Sequence, residues 1–340
     1  MQLLRWLLFP ITILYTLIIW VRNKLYDIGL FKSQTFTVPT IVIGNLAVGG
    51  AGKSPLTQKL INHFQQHHTV ASLSRGYGRK TKGFRLVSVE DHVKDVGDEP
   101  LQFKKNHPHI TVAVDENRAE GIQILSKDHN LIVLDDAFQH RKVTPSCSIL
   151  LFEFQSILNP ILLLPTGNYR DTFDQTKRAD LILITKCPEQ LKQEQIAQIE
   201  RKIRRYNTQA PIYYSKISYL PPVPLQPDSD FTMQEWPKDI LLITGIANPD
   251  PLVDYLKSKG SRVKHLKFGD HHAFDEFDYK QIKKLYTFLK DKGTVVMTTE
   301  KDAQRLGLDY LAGIPVFYIP IEVTLEQEED FLQKIAGFIS

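Results

Sequence analysis

The sequence predicts a two-domain α/β protein, and three observations carry that expectation. Short β-rich runs alternate with helical stretches along most of the 340 residues, the pattern of a mostly parallel sheet flanked by helices. A glycine cluster with one lysine, "AVGGAGKSP" at 47–55, follows directly on the apolar run "TIVIGN". A proline-dense stretch, "PPVPLQP" at 221–227, then separates the first set of runs from a second and marks a boundary or stiff linker.

A composition of 42% apolar and 24% charged residues supplies ample core and excludes a disordered chain. Cys147 and Cys187 sit in unrelated contexts without a CxxC pair, so neither a disulfide framework nor a zinc knuckle is indicated. A net charge of +4 is too slight over this length to mark a nucleic-acid binder.

The first element is apolar. Between Arg5 and Arg22 lie sixteen uncharged residues, "WLLFPITILYTLIIWV", followed by Lys24 and Lys32 with Asp27 between them. As a helix they rise about 24 Å, short of the roughly 30 Å hydrocarbon core of a bilayer. Trp6, Tyr15 and Trp20 suit headgroup depth, and Arg22 and Lys24 suit an anionic cytoplasmic leaflet, so residues 1–32 read as a membrane-embedded anchor helix. Two alternatives stand beside it. One is a cleaved signal peptide, against which the bulky "VRNKLY" in place of a small-x-small site argues; the other is a helix packed on the protein's own core.

Candidate strands of the first domain are "TIVIG" (40–44), "TVASLS" (69–74), "ITVAV" (110–114), "LIVLD" (131–135), "SILLFEF" (148–154) and "LILIT" (181–185). Helices are expected over 54–66, 99–106, 117–127 and 189–206. In the second domain "DILLIT" (239–244), "RVKHLKF" (262–268), "TVVMTT" (294–299) and "PVFYIPIEV" (315–323) read as strands. Asn248 followed by Pro249 reads as an N-cap with proline at the first helical position.

The glycine cluster has the context of a phosphate cradle: a strand, a glycine-rich turn, then a helix opening with Lys-Ser. Gly49, Gly50 and Gly52 let consecutive backbone N–H groups point into one concavity, and the helix N-terminus adds its dipole. Lys53 can reach the β and γ oxygens of a nucleotide, and Ser54 can ligate Mg²⁺. Pro55 is harmless in the first turn, and Ala47 replaces the usual first glycine of the pattern. The second anchor for a magnesium nucleotide is "LIVLDDAFQH", which ends a buried run in Asp135 and Asp136; two adjacent carboxylates there call for a cation or a helix N-terminus. "TKCP" at 185–188 starts like a guanine-reading tetrapeptide but puts Pro188 where its aspartate belongs, so ATP is favoured over GTP.

Further polar clusters fall on strand-to-helix loops, where α/β proteins assemble sites. They are Asp98 and Glu99 in "VGDEP", Arg75, Arg79 and Lys80 in "LSRGYGRK", Arg170 and Asp171 in "TGNYRD", and Asp270, His271 and His272 in "FGDHHAF". Adjacent histidines without a third spaced ligand disfavour zinc; a histidine held by Asp270 and a structural loop both remain open. "TTEKDAQRL" reads equally as part of a site or as a capped helix start with Lys301 and Asp302 exposed.

Taken in order, "VIGNLAVGGAGKSP", "LSRGYGR", "GDEP", "LDDAFQHR", "GNYRD", "TGIANP", "FGDHHAF" and "TEKDAQRL", with the apolar N-terminus, resemble the tetraacyldisaccharide 4'-kinase family, the lipid A 4'-kinases of Gram-negative bacteria. The resemblance implies a P-loop-containing α/β/α sandwich with a second, smaller α/β/α domain and an N-terminal membrane-associated helix. It divides the chain into the anchor (1–32), the kinase domain (33–210), a linker strand (211–220), the second domain (221–312), and a return strand with a C-terminal helix (313–340). It also implies transfer of the γ-phosphoryl of ATP to the 4'-hydroxyl of a tetraacylated glucosamine disaccharide 1-phosphate, at the cytoplasmic face of the inner membrane, with no nucleic acid and no obligate protein partner.

By the same resemblance Val48, Gly49, Gly50, Ala51, Gly52, Lys53, Ser54 and Pro55 form the nucleotide loop, and Ser54, Asp135 and Asp136 manage Mg²⁺. Asp98 accepts the hydroxyl proton, His271 supports it from the other domain, and Lys53 and Arg170 complete the catalytic set. Arg75, Arg79 or Arg170 suits the substrate's existing phosphate, bidentately as lysine would not. Three positions depart from the family's usual residues: Ser54 for threonine, Ala137 for glycine and Asp171 for glutamate. Two rivals differ in class: a tethered NTPase switch without a phosphorylated product, and a non-catalytic module whose glycine loop is only a turn.

Overall fold

The structure, a computed structural model, describes residues 5–226, 233, 235–290 and 293–340. Residues 1–4 of the expected anchor and Pro227 of the proline-dense stretch lie outside the described residues. Two units make up the chain, Met1–Ile217 with Val323–Ser340, and Ser218–Glu322.

The first unit opens with α1 (Phe9–Asp27), β1 (Thr40–Asn45), α2 (Lys53–Phe64), β2 (Val70–Ser74), β3 (Arg85–Leu86), α3 (Val93–Val96) and α4 (Asp98–Asn106). It continues through β4 (Thr111–Val114), α5 (Arg118–Leu125), β5 (Leu131–Leu134), β6 (Cys147–Glu153), α6 (Phe154–Leu158), β7 (Leu181–Thr185), α7 (Gln193–Arg204) and β8 (Ile212–Tyr219). The second unit holds β9 (Val223–Pro224), β10 (Asp239–Thr244), α8 (Asp250–Ser258), β11 (Arg262–Lys267), α9 (Glu276–Leu289), β12 (Val295–Thr299), α10 (Glu300–Ala303) and β13 (Val316–Ile319). The chain returns to the first unit through β14 (Ile321–Leu325) and α11 (Glu328–Ile339).

Strands of the first unit stand in the order β14-β8-β7-β6-β1-β5-β2-β4-β3. β1 pairs in parallel with β5 on one side and β6 on the other, so the end of "TIVIGN" emerges at mid-sheet beside the acid pair. Alternating residues feed two cores. Ile41, Ile43, Val133 and Ile149 face α2, α4 and α11 through Leu56, Leu60, Leu101 and Phe331. Val42, Leu134, Leu150 and Ile184 face α5, α6 and α7 through Ile122, Phe154 and Ile199. Each fully buried Leu or Ile contributes roughly 1.5–3 kcal/mol, and burial on both faces explains why these strands read as continuous apolar runs. The result is a three-layer α/β/α sandwich.

The second unit repeats the plan on a smaller scale, with strand order β11-β10-β12-β13-β9. Leu241, Ile243 and Val296 pack against Tyr279 and Ile282 of α9; Ile240, Leu242 and Met297 pack against Leu252 and Leu256 of α8. The expected strand 315–323 is two strands. Pro320 has no N–H to donate and divides them, so β13 pairs with β12 while β14 joins the first sheet. The second unit therefore extends to Glu322, past the boundary expected at 312. α8 starts at Asp250, later than the Asn248 cap suggested, although the Asn248 side chain does accept from the Asp250 N–H at 3.2 Å.

Helix α1 reverses the usual polarity. Its buried residues are Thr12 and Asn23, whereas Trp6, Leu14, Leu17, Ile18, Trp20 and Val21 along the N-terminal stretch are exposed. The inward face is held by hydrogen bonds: Thr12 Oγ1 to Thr166 Oγ1 at 2.8 Å, Tyr15 Oη to the Arg170 carbonyl at 2.8 Å, and Asn23 Nδ2 to Asp171 Oδ1 at 2.7 Å. Asp27 pairs with Arg141 at 2.7 Å and Lys177 at 2.9 Å. The helix therefore does pack on the protein, as the alternative reading expected, but through its polar face, while its apolar face stays exposed. No helix among the described residues is long and apolar enough to cross a membrane.

Candidate active site

Between Asn45 and Lys53 the chain turns over the edge of the sheet. Gly49 (φ 108°) and Gly52 (φ 81°) adopt the left-handed region that a Cβ disfavours. Neighbours on both sides brace the loop: Val48 N–H donates to the Asn168 carbonyl at 2.7 Å, and Thr185 Oγ1 donates to the Ala51 carbonyl at 2.9 Å. α2 begins at Lys53 with Ser54 and Pro55 in its first turn, so free N–H groups and the positive end of the helix dipole face the concavity.

Lys53 Nζ donates to Asn45 Oδ1 at 3.2 Å and lies 3.7 Å from Asp136. Arg170 grips the Asp136 carboxylate with both terminal nitrogens and reaches Asn45 Oδ1 at 2.8 Å. Burial alone would raise the Asp136 carboxyl; Lys53 and Arg170 outweigh it and hold the group below the usual carboxylate range. Asp136 takes φ 46°, a conformation that costs about 1 kcal/mol.

Asp135 is buried. Its Oδ1 accepts from Thr57 Oγ1 at 2.9 Å, and its Oδ2 has no protein donor among the described residues. Burial pushes this carboxyl up to about 7, the charges of Glu99 and Asp136 add to the push, and Lys53 and Thr57 oppose it. Ser54 Oγ donates to Glu99 Oε1 at 3.1 Å, which ties the start of α4 to the loop. Asp98, also buried, heads that helix and accepts from the Glu99 N–H at 3.0 Å. Gly97 (φ 94°) allows the approach, since a Cβ there would sit 3.1 Å from the Tyr77 carbonyl.

This set of hard oxygen donors fits Mg²⁺: an orphaned carboxylate oxygen on Asp135, with Ser54, Glu99 and Asp136 around it. Among the described residues no three His, Cys, Asp or Glu side chains cage a metal by themselves. Mg²⁺ characteristically completes its shell with water and phosphate oxygens rather than with protein alone.

Of the arginines singled out in the sequence, Arg79 gives its Nη2 to Glu116 at 2.7 Å and to the Gly83 carbonyl, while its Nε and Nη1 are buried with no protein acceptor among the described residues. Arg75 is exposed. Sequence reasoning missed Arg118, buried at the start of α5, whose guanidinium is pulled down to about 10 by burial and by Arg75. It also gave no role to His140, which burial and Arg118 push down to about 4 and so keep neutral. Asn45 and Thr57 were missed as well. The available signal was position, since residues 115–118 and 135–140 follow the ends of parallel strands on the cradle's edge.

In the second unit His271 (φ 56°) donates its N–H to the Gly245 carbonyl at 3.0 Å. Its Nε2 lies 3.3 Å from Lys301 Nζ and 4.0 Å from Asp270, a long ion-pair distance and not a hydrogen bond. His272 is the acid-paired histidine, 2.7 Å from Asp278. Thr299 caps α10 as expected of a helix start, but Asp302 is buried rather than exposed, accepting from the Gly245 N–H at 3.0 Å and Arg305 at 2.5 Å. Asp98 and His271 belong to different units.

The family model described as tetraacyldisaccharide-1-P 4'-kinase (LpxK) matches residues 4–340. The tetraacyldisaccharide 4'-kinase of Bacteroides thetaiotaomicron is 39% identical over 355 residues, covering 98% of this chain and 93% of the relative. That of Flavobacterium johnsoniae is 38% identical over 343 residues, covering 100% and 98%. Among solved structures, LpxK from Aquifex aeolicus in complex with ATP has a TM-score of 0.77 at 28% identity, covering 99% of this chain and 100% of that one. With a cradle, an acid pair and a braced arginine at the positions the motifs anticipated, and with similarity running the whole length, this chain belongs to the tetraacyldisaccharide-1-P 4'-kinase family.

Proposed function

We propose that the chain transfers the γ-phosphoryl group of ATP to the 4'-hydroxyl of a tetraacylated glucosamine disaccharide 1-phosphate, giving the lipid A precursor lipid IVA. The observation that carries this reading is the convergence on the Lys53 cradle of Asp135, Asp136, Arg170 and the Asp98–Glu99 turn. Phosphoryl transfer passes through a loose transition state and asks a protein mainly for alignment and charge neutralisation.

Lys53 and the loop amides neutralise the phosphates, and Arg170, oriented by Asp136 and Asn45, reinforces Lys53. Ser54, Asp135 and Asp136 would hold Mg²⁺, which would supply neutralising charge for the phosphates. Asp98, fixed at the head of α4, accepts the hydroxyl proton and orients the attacking oxygen. Arg75 and Arg118 supply cationic groups for the acceptor's own phosphate, and the neutral His140 adds a polar contact without extra charge. Within the second unit, His271 Nε2 accepts from Lys301.

The same reading seats the enzyme on the cytoplasmic face of the bacterial inner membrane. The outward apolar face of α1, with Trp6 and Trp20, supports it, as do Arg22 and Lys24 at its far end. The test is label transfer: mixed micelles with γ-labelled ATP and the disaccharide 1-phosphate lipid should yield labelled lipid. Hydrolysis at the same rate with and without the lipid, and no labelled lipid, sinks the assignment in favour of an NTPase switch.

A further inference from the structure

The "TKCP" stretch plays no part in the mechanism above, yet it rests on the cradle. A Cβ at Gly52 would lie 3.6 Å from the Thr185 side chain, and a Cβ at Gly50 would lie 3.8 Å from Lys186 Nζ. Lys186 adopts φ 55°, and its ammonium donates to Glu153 Oε1 at 3.1 Å, with both side chains about one-third exposed. A lysine kept in a sparsely populated backbone region, with its charge pinned, is over-determined by its surroundings, and such positions cluster at ligand clamps.

Sheet order says what the clamp faces. The acid pair and the Glu99 contact lie on the β5 side of β1, which fixes the γ-phosphate end of a bound nucleotide there. The base end must then extend across the loop to the opposite side of β1, over the ends of β6 and β7, where Glu153 and Lys186 sit. With its ammonium matched to Glu153, Lys186 presents an apolar methylene stem, a surface suited to the flat face of a purine.

Resting on the nucleotide reading of the cradle, we infer that Lys186 is a nucleotide-binding residue whose stem is the platform for the adenine ring, and that Glu153 is a positioning residue pinning that stem. Pro188 supplies no carboxylate for the base edge. The platform therefore reads the ring face and tolerates hypoxanthine as well as adenine.

The experiment measures dissociation constants of Mg-ATP, Mg-ITP and Mg-tripolyphosphate on the full chain in detergent micelles. Lys186→Ala should weaken ATP and ITP about tenfold each, the scale of one base stacked on a side chain, with tripolyphosphate changed less than twofold. Lys186→Arg should recover ATP to within about threefold of wild type, and Glu153→Gln should show the same split between ATP and tripolyphosphate in weaker form. Equal losses for ATP and tripolyphosphate overturn the proposal, because Lys186 then only braces the loop; an unchanged ATP constant overturns it too. If Lys186→Ala loses its far-ultraviolet circular dichroism, the Glu153→Gln split decides. Wild-type protein that binds neither ATP nor tripolyphosphate overturns the nucleotide reading itself.

Discussion

Asp135→Asn should stabilise the nucleotide-free enzyme while abolishing its chemistry, and the stabilisation should depend on pH. Asp135 is buried, with one oxygen on Thr57 and the other without a protein donor among the described residues, and burial pushes its carboxyl from the ordinary carboxylate range up to about 7. A carboxyl whose folded pKa exceeds its unfolded one binds more protons when folded, so its effect on stability is absent below the unfolded value and grows unfavourable as pH rises through the folded one. Between pH 5 and pH 8 about two pH units of that separation are expressed, an upper bound of about 3 kcal/mol. Part of the push on Asp135 comes from the neighbouring charges of Glu99 and Asp136, so the range to test is about 1–3 kcal/mol. For a unit of this size that moves the melting midpoint by roughly 3–10 °C. Thermal melts of both proteins without Mg²⁺ should show a midpoint difference, variant minus wild type, that increases from pH 5 to pH 8. Subtraction cancels every other titrating group, and a constant offset from the buried amide does not alter the slope. A flat or falling difference would falsify the account of Asp135 as an under-compensated acid awaiting a cation.

Asp98→Ala should lower kcat by about 10²–10⁴ while Mg-ATP binding stays within about threefold; steady-state kinetics beside calorimetry checks it, and equal losses contradict the role of proton acceptor. Gly44→Ala places a Cβ 2.5 Å from Phe138 Cβ and 2.9 Å from its backbone nitrogen, just past the acid pair. A shift of the urea midpoint equivalent to about 1–3 kcal/mol is expected, with reduced Mg²⁺-dependent turnover. Leu17→Glu and Ile18→Glu alter exposed side chains of α1, so co-sedimentation with anionic vesicles should fall at least about tenfold for each while the melting midpoint stays put. Retained vesicle binding would remove α1 as the membrane contact.

The cradle was legible because its chemistry is local: Gly49, Gly52, Lys53 and Ser54 must follow one another to make it. Asp135 and Asp136 were legible because a continuous apolar run announces a buried parallel strand, and residues at its end fall on the ligand-binding edge. Arg118, Asn45, Thr57 and the Glu99–Ser54 contact were not, since an isolated polar residue acquires a role only when the sheet order brings distant loops together. The Lys301 contact of His271 was hidden for a related reason. Neighbours in sequence need not face each other, and the left-handed backbone at His271 leaves its ring nearer Lys301. The division of 315–323 into two strands was within reach, because Pro320 stands in the middle of the run.

Because hydrogen bonds and ion pairs tie α1 down while its greasy side looks outward, extraction and detachment become separate events. On the membrane reading proposed above, detergent replacing lipid around Leu17 and Trp20 would not compete for Asn23, Tyr15 or Asp27, and the extracted protein would keep the helix in place. Trimming the chain at residue 27 does the opposite: it removes the apolar face but also strips the Asn23 donor from Asp171 and the Tyr15 donor from the Arg170 carbonyl. A shortened version made for easier handling thus loosens the stretch that aims Arg170 at the cradle.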